Sequence, residues 1–462
     1  MTSPPARNRG HTTPPAPVPE QRPAPPVDAA HDRSPEETKA AVTARYRAHL
    51  SPARATLGEL FGGLVESSSS GAWVYTTDGR ALLNCGGYGV LLMGARHPRV
   101  VRAVTEQIAT HPVATRMLLE PRAGAAAEAL AAVTPPGLDH VHFAGSGADA
   151  VEAALKLARC HGRTTVVAAH GGYHGKTMGA LSATGNPMYR GPFLPLLPGV
   201  RHLPYGDAAA LEQELAQGPA DTACVIVEPV QAEAGVLLPP PGYLSEVAAS
   251  CRAHGALLVL DEVQTGLGRL GSWWGADREG VVPDILLVGK ALSGGVIPVS
   301  AMVAGREVFQ PFGRDPFVHT STFSAAPVAM AAAEAAIACI REEDLVSRAK
   351  ALGSHLLPRI RQIAAERLGD LLVEVRGAGL LIGVELAEPG LTAELLLELL
   401  SRGVLANHSL NSHAVLRFTP PAVLTDRDVD ILLTTFEHAC TALAESRRNA
   451  WKEENRPCAV PS

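Results

Sequence analysis

Two polar side chains that could act together, Asp261 and Lys290, stand at the ends of two short apolar runs. Residues 257–260 lead into Asp261, with Gln264 three residues later, and residues 285–288 precede Lys290. Short runs of Leu, Ile and Val bounded by Gly and Pro are typical of buried parallel strands. Ligands of open α/β sheets gather at the carboxyl ends of such strands. A carboxylate that can pair with a ring nitrogen and a lysine that can form an imine are what pyridoxal phosphate requires.

Each of these residues also has an ordinary structural explanation. A carboxylate after a run as apolar as 257–260 is costly to bury unless it is paired, so Asp261 also fits a structural ion pair. A desolvated lysine becomes a nucleophile, but lysines at surface turns are far more common than nucleophilic ones. Taken singly, Asp261 and Lys290 do not decide between a cofactor site and a structural role.

A phosphate-binding turn is indicated by residues 145–148, Gly-Ser-Gly-Ala, between a predicted strand and a predicted helix. Such a turn offers free backbone N–H groups at the positive end of the helix. Many glycine-containing turns of this kind bind nothing, so the motif is weak alone. Tyr173 lies in the next loop that follows a strand, where its ring could stack on a flat cofactor or simply pack.

The elements that must position these residues alternate between strand and helix. The spacing of Val151, Ala154, Leu155 and Ala158 predicts a helix, and residues 243–254 predict another. Strands are predicted at 141–143, 165–169, 224–227, 257–260, 285–288 and 300–304. Strands alternating with helices favour an α/β fold, with a mainly parallel sheet covered on both faces.

The flanking segments predict a second, smaller unit. Ser34-Pro-Glu-Glu has the form of a helix start, and Asp78-Gly79 between two β-type runs predicts a hairpin. The glycine-rich residues 86–89, Gly-Gly-Tyr-Gly, form either a tight turn or a close backbone approach to a ligand. After helices at 328–340 and 343–365, the smaller α+β unit is predicted from strands at 373–377, 380–386 and 415–418 and a helix at 392–401.

Composition favours a large globular enzyme. The chain has 462 residues, 46% of them apolar and 19% charged, and a net charge of −6 with no basic footprint for nucleic acid. No apolar stretch approaches the roughly 18 residues of a membrane span, and the N-terminus lacks the apolar core of a signal peptide. The seven cysteines are scattered without a CxxC pair. This pattern predicts reduced thiols in a cytoplasmic protein and no metal site.

Many motifs in one order carry a resemblance to a known family, the class III pyridoxal-phosphate aminotransferases. The resemblance runs from about Trp73 to Pro421 and is highly specific. Its motifs are DGR at 78–80, SG at 146–147, EAALKLAR at 152–159, YHGKTMGALSATG at 173–185, VEPVQAEAGV at 227–236, PPPGYL at 239–244, LDEVQTGLGR at 260–269, PDILLVGKAL at 283–292, HTSTF at 319–323, VRGAGLLIGVEL at 375–386 and LRFTPP at 416–421. CGGYGV from Cys85, LLEP at 118–121 and residues 193–206 are most similar to putrescine aminotransferases.

The resemblance implies a fold-type-I transferase, with a seven-stranded-type sheet in a large domain and a smaller α+β domain. The expected division is a disordered tail at 1–35, which holds ten prolines, followed by small-domain segments at 36–95 and 341–450. The large cofactor domain is expected at 96–340 and a frayed tail at 451–462. The family also implies a homodimer, or a dimer of dimers, with shared active sites.

Position by position, the resemblance also implies roles for the site residues. Lys290 would bond the cofactor as an imine and then move the proton between substrate and cofactor, while Asp261 would hold the pyridinium nitrogen. The other expected cofactor contacts are Gln264 at the O3′ side, Tyr173 stacked on the ring, Ser146, Gly147 and Ala148 at the phosphate, and Thr322 reaching the phosphate in the neighbouring subunit.

Two further residues would bind substrate. Arg417 matches the arginine that takes the α-carboxylate of an amino or keto acid. Glu233 matches the glutamate that pairs with this arginine when the reacting carbon carries no carboxylate. One departure from the family stands out: residues 324–326, Ser-Ala-Ala, replace the usual Gly-Gly-Asn before Pro327. The substrate side of the subunit interface is therefore expected to differ from that of standard putrescine enzymes.

The expected reaction is a ping-pong transfer of nitrogen from a primary amine, such as the diamine putrescine, to a keto acid, 2-oxoglutarate or pyruvate. An acetylornithine or ornithine aminotransferase is the first alternative. A tailoring enzyme of specialised metabolism that aminates a carbonyl on a larger substrate is the second. Aminomutases and a decarboxylase share the scaffold, and a non-catalytic binding protein is disfavoured because Lys290, Asp261, Gln264 and Thr322 are all present.

Overall fold

The computed structural model describes residues 33–219 and 222–454, and its strands form three sheets. In chain order the strands are Glu66–Ser70 (β1), Trp73–Thr76 (β2), Ala81–Asn84 (β3), His140–Ala144 (β4), Thr165–Ala169 (β5), Val200–Leu203 (β6), Ala223–Val227 (β7), Leu257–Asp261 (β8), Ile285–Val288 (β9), Ser300–Ala304 (β10), Leu372–Ala378 (β11), Leu381–Leu386 (β12), Val404–Leu405 (β13), Asn407–His408 (β14) and Val415–Phe418 (β15).

The α-helices of the described residues surround these sheets. They are Pro35–Arg45 (α1), Pro52–Leu60 (α2), Pro98–Thr110 (α3), Pro121–Ala131 (α4), Gly147–Cys160 (α5), Met178–Ala183 (α6), Pro187–Arg190 (α7), Ala208–Gln217 (α8), Tyr243–Ala253 (α9), Arg306–Arg314 (α10), Pro327–Glu342 (α11), Leu345–Leu368 (α12), Pro389–Ser401 (α13) and Asp426–Glu454 (α14). Ser34 caps α1 through a reciprocal pair of hydrogen bonds with Glu37, which explains why the helix begins there.

The largest sheet has seven strands in the order β4–β10–β9–β8–β7–β5–β6. All its pairings are parallel except those of β10, which runs antiparallel to both β9 and β4. Alternate residues of β8 enter two different apolar cores, Leu258 and Leu260 on one face and Leu257 and Val259 on the other. Burial on both faces is why this strand is an unbroken apolar run in the sequence.

Helices cover both faces of this sheet. One core contains residues of α5, α6 and α10, and the other contains residues of α3, α4, α8, α9 and α11. Among the described residues, no helix is both long and apolar enough to cross a membrane. The α/β prediction with a mainly parallel seven-stranded sheet is therefore confirmed.

Two four-stranded sheets lie outside this layered body. The first, β1–β2–β3–β13, joins strands from the two halves of the chain, because Val404 and Leu405 pair in parallel with Leu83 and Asn84. The second has the order β11–β12–β15–β14 and is antiparallel. The hairpin predicted at Asp78-Gly79 is present, with β2 and β3 antiparallel.

Several elements were not anticipated, among them β6 and α14. Strand β6 forms the sheet edge in a segment that carries Pro and Gly residues, and α14 is a 29-residue helix that continues to Glu454. The helix therefore enters the segment 451–462 that was expected to be frayed. Residues 455–462 and the proline-rich residues 1–32 lie outside the described part of the chain, so the predicted domain boundaries stay predictions.

Candidate active site

The strand ends of the large sheet open into one cavity of about 530 Å³. Asp261 closes β8, and Lys290 follows β9 after a single glycine, Gly289. Both side chains line the cavity, and so do nearly all the other residues predicted for the site: Ser146, Gly147, Ala148, Tyr173, Glu233 and Gln264. Sequence positions spread over more than a hundred residues therefore meet at the expected edge of the sheet.

Lys290 sits in a backbone conformation that is unusual for a residue with a side chain. Its φ is +44°, in the left-handed region, which costs energy and is found preferentially at functional sites. Gly289 is required beside it, because a Cβ there would lie 2.5 Å from the Ser300 hydroxyl. Burial lowers the pKa of Lys290, although the negative charges of Glu233 and Asp261 oppose this shift. A lysine with a lowered pKa can serve as a nucleophile and as a base.

Asp261 is buried and has a cationic partner that the sequence analysis missed. Its Oδ2 lies 2.8 Å from Nδ1 of His174, and its Oδ1 accepts a hydrogen bond from the Val263 N–H at 3.1 Å. Burial disfavours a charged His174, but the hydrogen bond and charge of Asp261 outweigh it and raise the pKa of His174. The only signal in the sequence was that His174 follows Tyr173 in a loop after a strand.

A second acid of the cavity wall, Glu228, was also missed. Its Oε1 accepts a hydrogen bond from the Tyr173 N–H at 2.9 Å, which fixes the backbone that presents the Tyr173 ring to the cavity. Burial raises the pKa of Glu228 to about 7, with the charge of His174 acting in the opposite direction and that of Asp261 adding to the rise. Glu228 can therefore be neutral near physiological pH while it holds Tyr173 in place.

The predicted phosphate turn is the first turn of α5. Ser146 caps this helix: its hydroxyl accepts a hydrogen bond from the Asp149 N–H at 3.2 Å and donates one to the Asp149 carboxylate at 2.9 Å. The N–H groups of Gly147 and Ala148 belong to the first turn, which has no partners within the helix. A Cβ on Gly147 would lie 3.0 Å from a methyl of Val263, so the close approach favours glycine. The turn suits an anionic phosphate.

Gln264 gives the clearest sign that a ligand belongs in the cavity. Its side chain is buried, yet neither its amide nitrogen nor its amide oxygen has a hydrogen-bond partner among the described residues. Native proteins rarely leave both ends of a buried amide unpaired. Gly89 allows this placement, because with φ at +75° it lies so close that a Cβ would be 2.2 Å from the Gln264 nitrogen. Gly89, the last glycine of the segment 86–89, is thus needed for close packing against a site residue.

Arg417 and Glu233, predicted as a substrate pair, form a buried ion pair. Nη1 of Arg417 lies 2.7 Å from Oε1 of Glu233, and both side chains are almost completely shielded from solvent. Nη1 also donates to the Ala232 carbonyl at 3.3 Å. Nε and Nη2 of Arg417 have no partner among the described residues, so the guanidinium can accept another anion.

Two predicted site residues do not line the cavity: Arg417, which is buried against the lining residue Glu233, and Thr322, which lies elsewhere. Thr322 is exposed in a turn of this chain. The altered segment Ser324-Ala325-Ala326 follows it and also stays outside the cavity wall. The Ser324 hydroxyl donates to the Phe143 carbonyl, and Ala325 has a φ of +54°, a conformation that glycine adopts more easily. The substitution therefore changes the segment that follows Thr322 and not the cavity itself.

A cluster of His97, Cys339 and Glu343 stands apart from the cavity. His97 Nδ1 lies 3.4 Å from the Cys339 sulfur, and Nε2 lies 3.0 Å from a Glu343 oxygen. The three side chains could in principle hold a metal ion, but hydrogen bonds among them already account for their arrangement. All six described cysteines are free thiols, and five of them are buried.

A lysine and an acid at neighbouring strand ends, with a phosphate turn and a stacking aromatic, define a fold-type-I pyridoxal-phosphate enzyme. The family model described as aminotransferase class-III matches residues 60–440, so the chain belongs to the class III aminotransferases. This family is PLP-dependent, and its members exchange an amino group between an amine and a keto acid. The expectation of enzyme, family and cofactor is confirmed.

Solved structures agree with this assignment. The ornithine aminotransferase of Toxoplasma gondii is 33% identical, with a TM-score of 0.79 over 83% of this chain and 92% of that one. An (S)-enantioselective omega-transaminase from Thermomicrobium roseum is 29% identical, with a TM-score of 0.81 over 87% and 98% of the two chains. The ornithine delta-aminotransferase of Plasmodium falciparum is 29% identical, with a TM-score of 0.73 over 83% and 94%.

The residues present fit the cofactor. The turn at Ser146–Ala148 would hold the phosphate, Asp261 the ring nitrogen and Lys290 the carbonyl carbon, while the unpaired amide of Gln264 would reach a ring oxygen. When bound, pyridoxal phosphate supplies an electron sink that stabilises negative charge on the reacting carbon. The chain supplies the groups that orient this ring and move protons beside it.

Proposed function

We propose that the chain transfers an amino group from a primary terminal amine, such as the diamine putrescine, to 2-oxoglutarate or pyruvate by a ping-pong mechanism. The observation that carries the proposal is the closed, buried pair of Arg417 and Glu233, with 2.7 Å between their charged atoms. A reacting carbon without a carboxylate leaves this pair undisturbed. A keto acid needs the arginine and must displace Glu233 from it.

The remaining site residues are given roles that fit their surroundings. Lys290, whose pKa is lowered by burial, loses its proton more readily than an exposed lysine and can then accept the proton that leaves the substrate carbon. Asp261, held by His174, balances a positive ring nitrogen. Tyr173 would lie against the ring, because the Glu228 carboxylate anchors its backbone at the cavity wall.

The proposal is tested by supplying an amine panel (putrescine, cadaverine, ornithine, acetylornithine, 4-aminobutyrate) with 2-oxoglutarate or pyruvate. We expect the terminal diamines to give the highest kcat/KM, with nitrogen recovered on the keto acid. Lys290→Ala should abolish turnover and the imine absorbance band that survives dialysis of the wild-type protein. Absence of that band in the wild type, or an amine product without nitrogen on the keto acid, would overturn the proposal.

An ornithine-type reaction is the second candidate, and Lys176 favours it. This lysine lines the cavity, and its ammonium nitrogen lies 4.1 Å from the centre of the Tyr189 ring. A cation on the cavity wall can bind a carboxylate that is distant from the reacting amine, which ornithine has and putrescine lacks. Lys176→Gln should therefore raise the KM of ornithine at least about fivefold and leave that of putrescine nearly unchanged.

We also propose a homodimer whose subunits share their sites. Residues 117–119, Phe317 and Phe323 form an apolar patch that is strongly exposed, with Leu119 fully so, and Phe317 and Phe323 flank Thr322 in the sequence. The guanidinium of Arg116 donates to the Ser321 carbonyl and joins the two parts of this patch. Contiguous exposed apolar residues of this kind mark interaction surfaces.

The dimer is tested by sedimentation equilibrium of Leu119→Lys beside Val373→Lys, an exposed apolar residue of β11 outside the patch. We expect the first variant alone to dissociate and to lose cofactor affinity. A wild-type monomer that retains full activity would contradict the shared site. Location in the cytoplasm stays a prediction that rests on the reduced, scattered cysteines.

A further inference from the structure

The side of Glu233 that faces away from Arg417 is held by a loop, residues 409–413, which we call the clamp loop. Oε2 of Glu233 accepts a hydrogen bond from the Leu410 N–H at 3.0 Å, and the backbone carbonyl of Glu233 accepts one from the Asn411 N–H at 2.8 Å. Glu233 is thus held between Arg417 on one side and this loop on the other. Any movement that frees Arg417 must also strain or break contacts to the loop.

Asn411 fastens the clamp loop to the cofactor side of the cavity. Its side-chain nitrogen donates to the Gly171 carbonyl at 2.7 Å, two residues before the stacking Tyr173. Its side-chain oxygen accepts from the amide nitrogen of Asn186 at 3.2 Å. The Tyr189 hydroxyl adds a third tie, because it donates to the Leu410 carbonyl at 2.8 Å. These three side-chain hydrogen bonds add to the backbone contacts with Glu233 and to the bond that the Ser409 hydroxyl donates to the Ala232 carbonyl at 3.3 Å.

We propose that Asn411 is a positioning residue that sets the balance between the two kinds of substrate by holding Glu233 against Arg417. The inference rests on the proposed function, in which a keto acid displaces Glu233 and a terminal amine does not. A firmly held clamp loop stabilises the paired state, which suits the amine. Loosening the loop lowers the cost of parting the pair, which suits the carboxylate of the keto acid.

The two substrates are expected to respond differently because they favour different states of the Arg417–Glu233 pair, and not because the site is generally damaged. Each net hydrogen bond is worth about twofold to tenfold in an equilibrium constant. A substrate shifts the balance only through its different affinity for the paired and parted states. Loss of both Asn411 side-chain bonds should therefore raise the affinity for the keto acid, whereas the affinity for the amine should fall only as far as the parted state becomes populated. Damage to cofactor binding would change both in the same sense.

The test follows each half-reaction separately in Asn411→Ala holoenzyme, by the absorbance change of the bound cofactor. We expect the apparent KM for 2-oxoglutarate to fall about threefold to tenfold and that for putrescine to rise by about twofold at most, because the paired state already predominates. Asn186→Ala, which removes one of the two bonds, should shift both values in the same directions by less. Ser412→Ala, whose hydroxyl makes no hydrogen bond with any described residue, is the matched control in the same loop and should shift neither.

Parallel changes of both KM values in Asn411→Ala, or a control as strongly altered as the variant, would overturn the inference. Should Asn411→Ala fail to fold, Asn411→Asp replaces it, since it keeps the acceptor for Asn186 and removes the donor to Gly171. No amine or keto acid reacting with the wild-type holoenzyme would instead refute the proposed function. The two failures are thus distinguishable.

Discussion

Replacing His174 tests whether its buried contact with Asp261 stabilises the folded protein. His174 and Asp261 lie 2.8 Å apart with both side chains almost wholly buried. A hydrogen bond to a charged group contributes about 1.5–3 kcal/mol, and breaking a buried pair from one side costs about 3–5 kcal/mol. We therefore expect His174→Leu to lower the free energy of unfolding by roughly 3 kcal/mol. His174→Asn, which retains a neutral donor, should cost about half as much.

A matched control exists in the same chain. His254 Nε2 lies 2.7 Å from a Glu212 oxygen, a similar distance, but this pair is substantially exposed. Exposed pairs contribute about 0–1 kcal/mol because solvent screens them. His254→Asn should therefore leave the unfolding midpoint in urea nearly unchanged, whereas both His174 variants lower it. A His254 variant as unstable as His174→Leu would refute the argument from burial.

The pH dependence has a definite sign. The pKa of His174 is raised in the folded protein, so the contribution of its charge is fully present below the unfolded value of about 6.5. That contribution is lost as the pH rises through the folded pKa. Because neutral histidine and asparagine both donate one hydrogen bond, the gap between wild type and His174→Asn should narrow at alkaline pH. A gap that widens with rising pH would mean that the ring is neutral when bound to Asp261.

Three further predictions concern neighbouring groups. Gly89→Ala should destabilise the protein by at least about 1 kcal/mol and weaken cofactor binding in an apoenzyme titration. An alanine at φ +75° is strained, and its methyl group would meet the Gln264 side chain. Gly390→Ala, with open space around it, should have neither effect. Glu228→Gln should remove a loss of stability of roughly 1–3 kcal/mol that the wild type shows in thermal unfolding as the pH rises from about 4.5 to 7. In this range the unfolded state gives up the Glu228 proton while the folded state, with its raised pKa, keeps it, so unfolding is favoured by rising pH. An unchanged profile would assign that titration to another group. Arg417→Ala should impair the keto-acid half-reaction by about tenfold or more in kcat/KM and the amine half-reaction much less, and equal losses in stopped-flow traces would count against the switch.

The residues that sequence reasoning placed correctly are those whose signal is local. The strand Leu257–Asp261 begins with an unbroken apolar run because both of its faces are covered, and the acid at its end can be recognised from the sequence alone. The glycine turn before α5 and the lysine after β9 are similarly local. Such residues lie at strand ends by necessity, and parallel strands bring their carboxyl ends to one edge.

The residues that were missed depend on contacts between distant segments. His174 is 87 positions from its partner Asp261, and nothing in its neighbours distinguishes it from a packed histidine. Asn411 meets Gly171 across 240 positions, and the polar residues around it are typical of a solvated loop. Strand β6 was missed for a different reason: edge strands tolerate prolines and glycines nearby, which obscure their apolar pattern.

Three acids meet around the cavity, and their environments separate their roles. Asp261 lies 2.8 Å from Nδ1 of His174, whose pKa is raised, so its buried carboxylate has a hydrogen-bond partner. Glu233 is paired with Arg417 in the same way, and its charge is available for exchange with a substrate carboxylate. Among the described residues, the Glu228 carboxylate accepts a hydrogen bond only from a neutral N–H, and its pKa of about 7 makes it the acid that burial can neutralise. We therefore propose that, of the three, Asp261 is the carboxylate that pairs with the ring nitrogen.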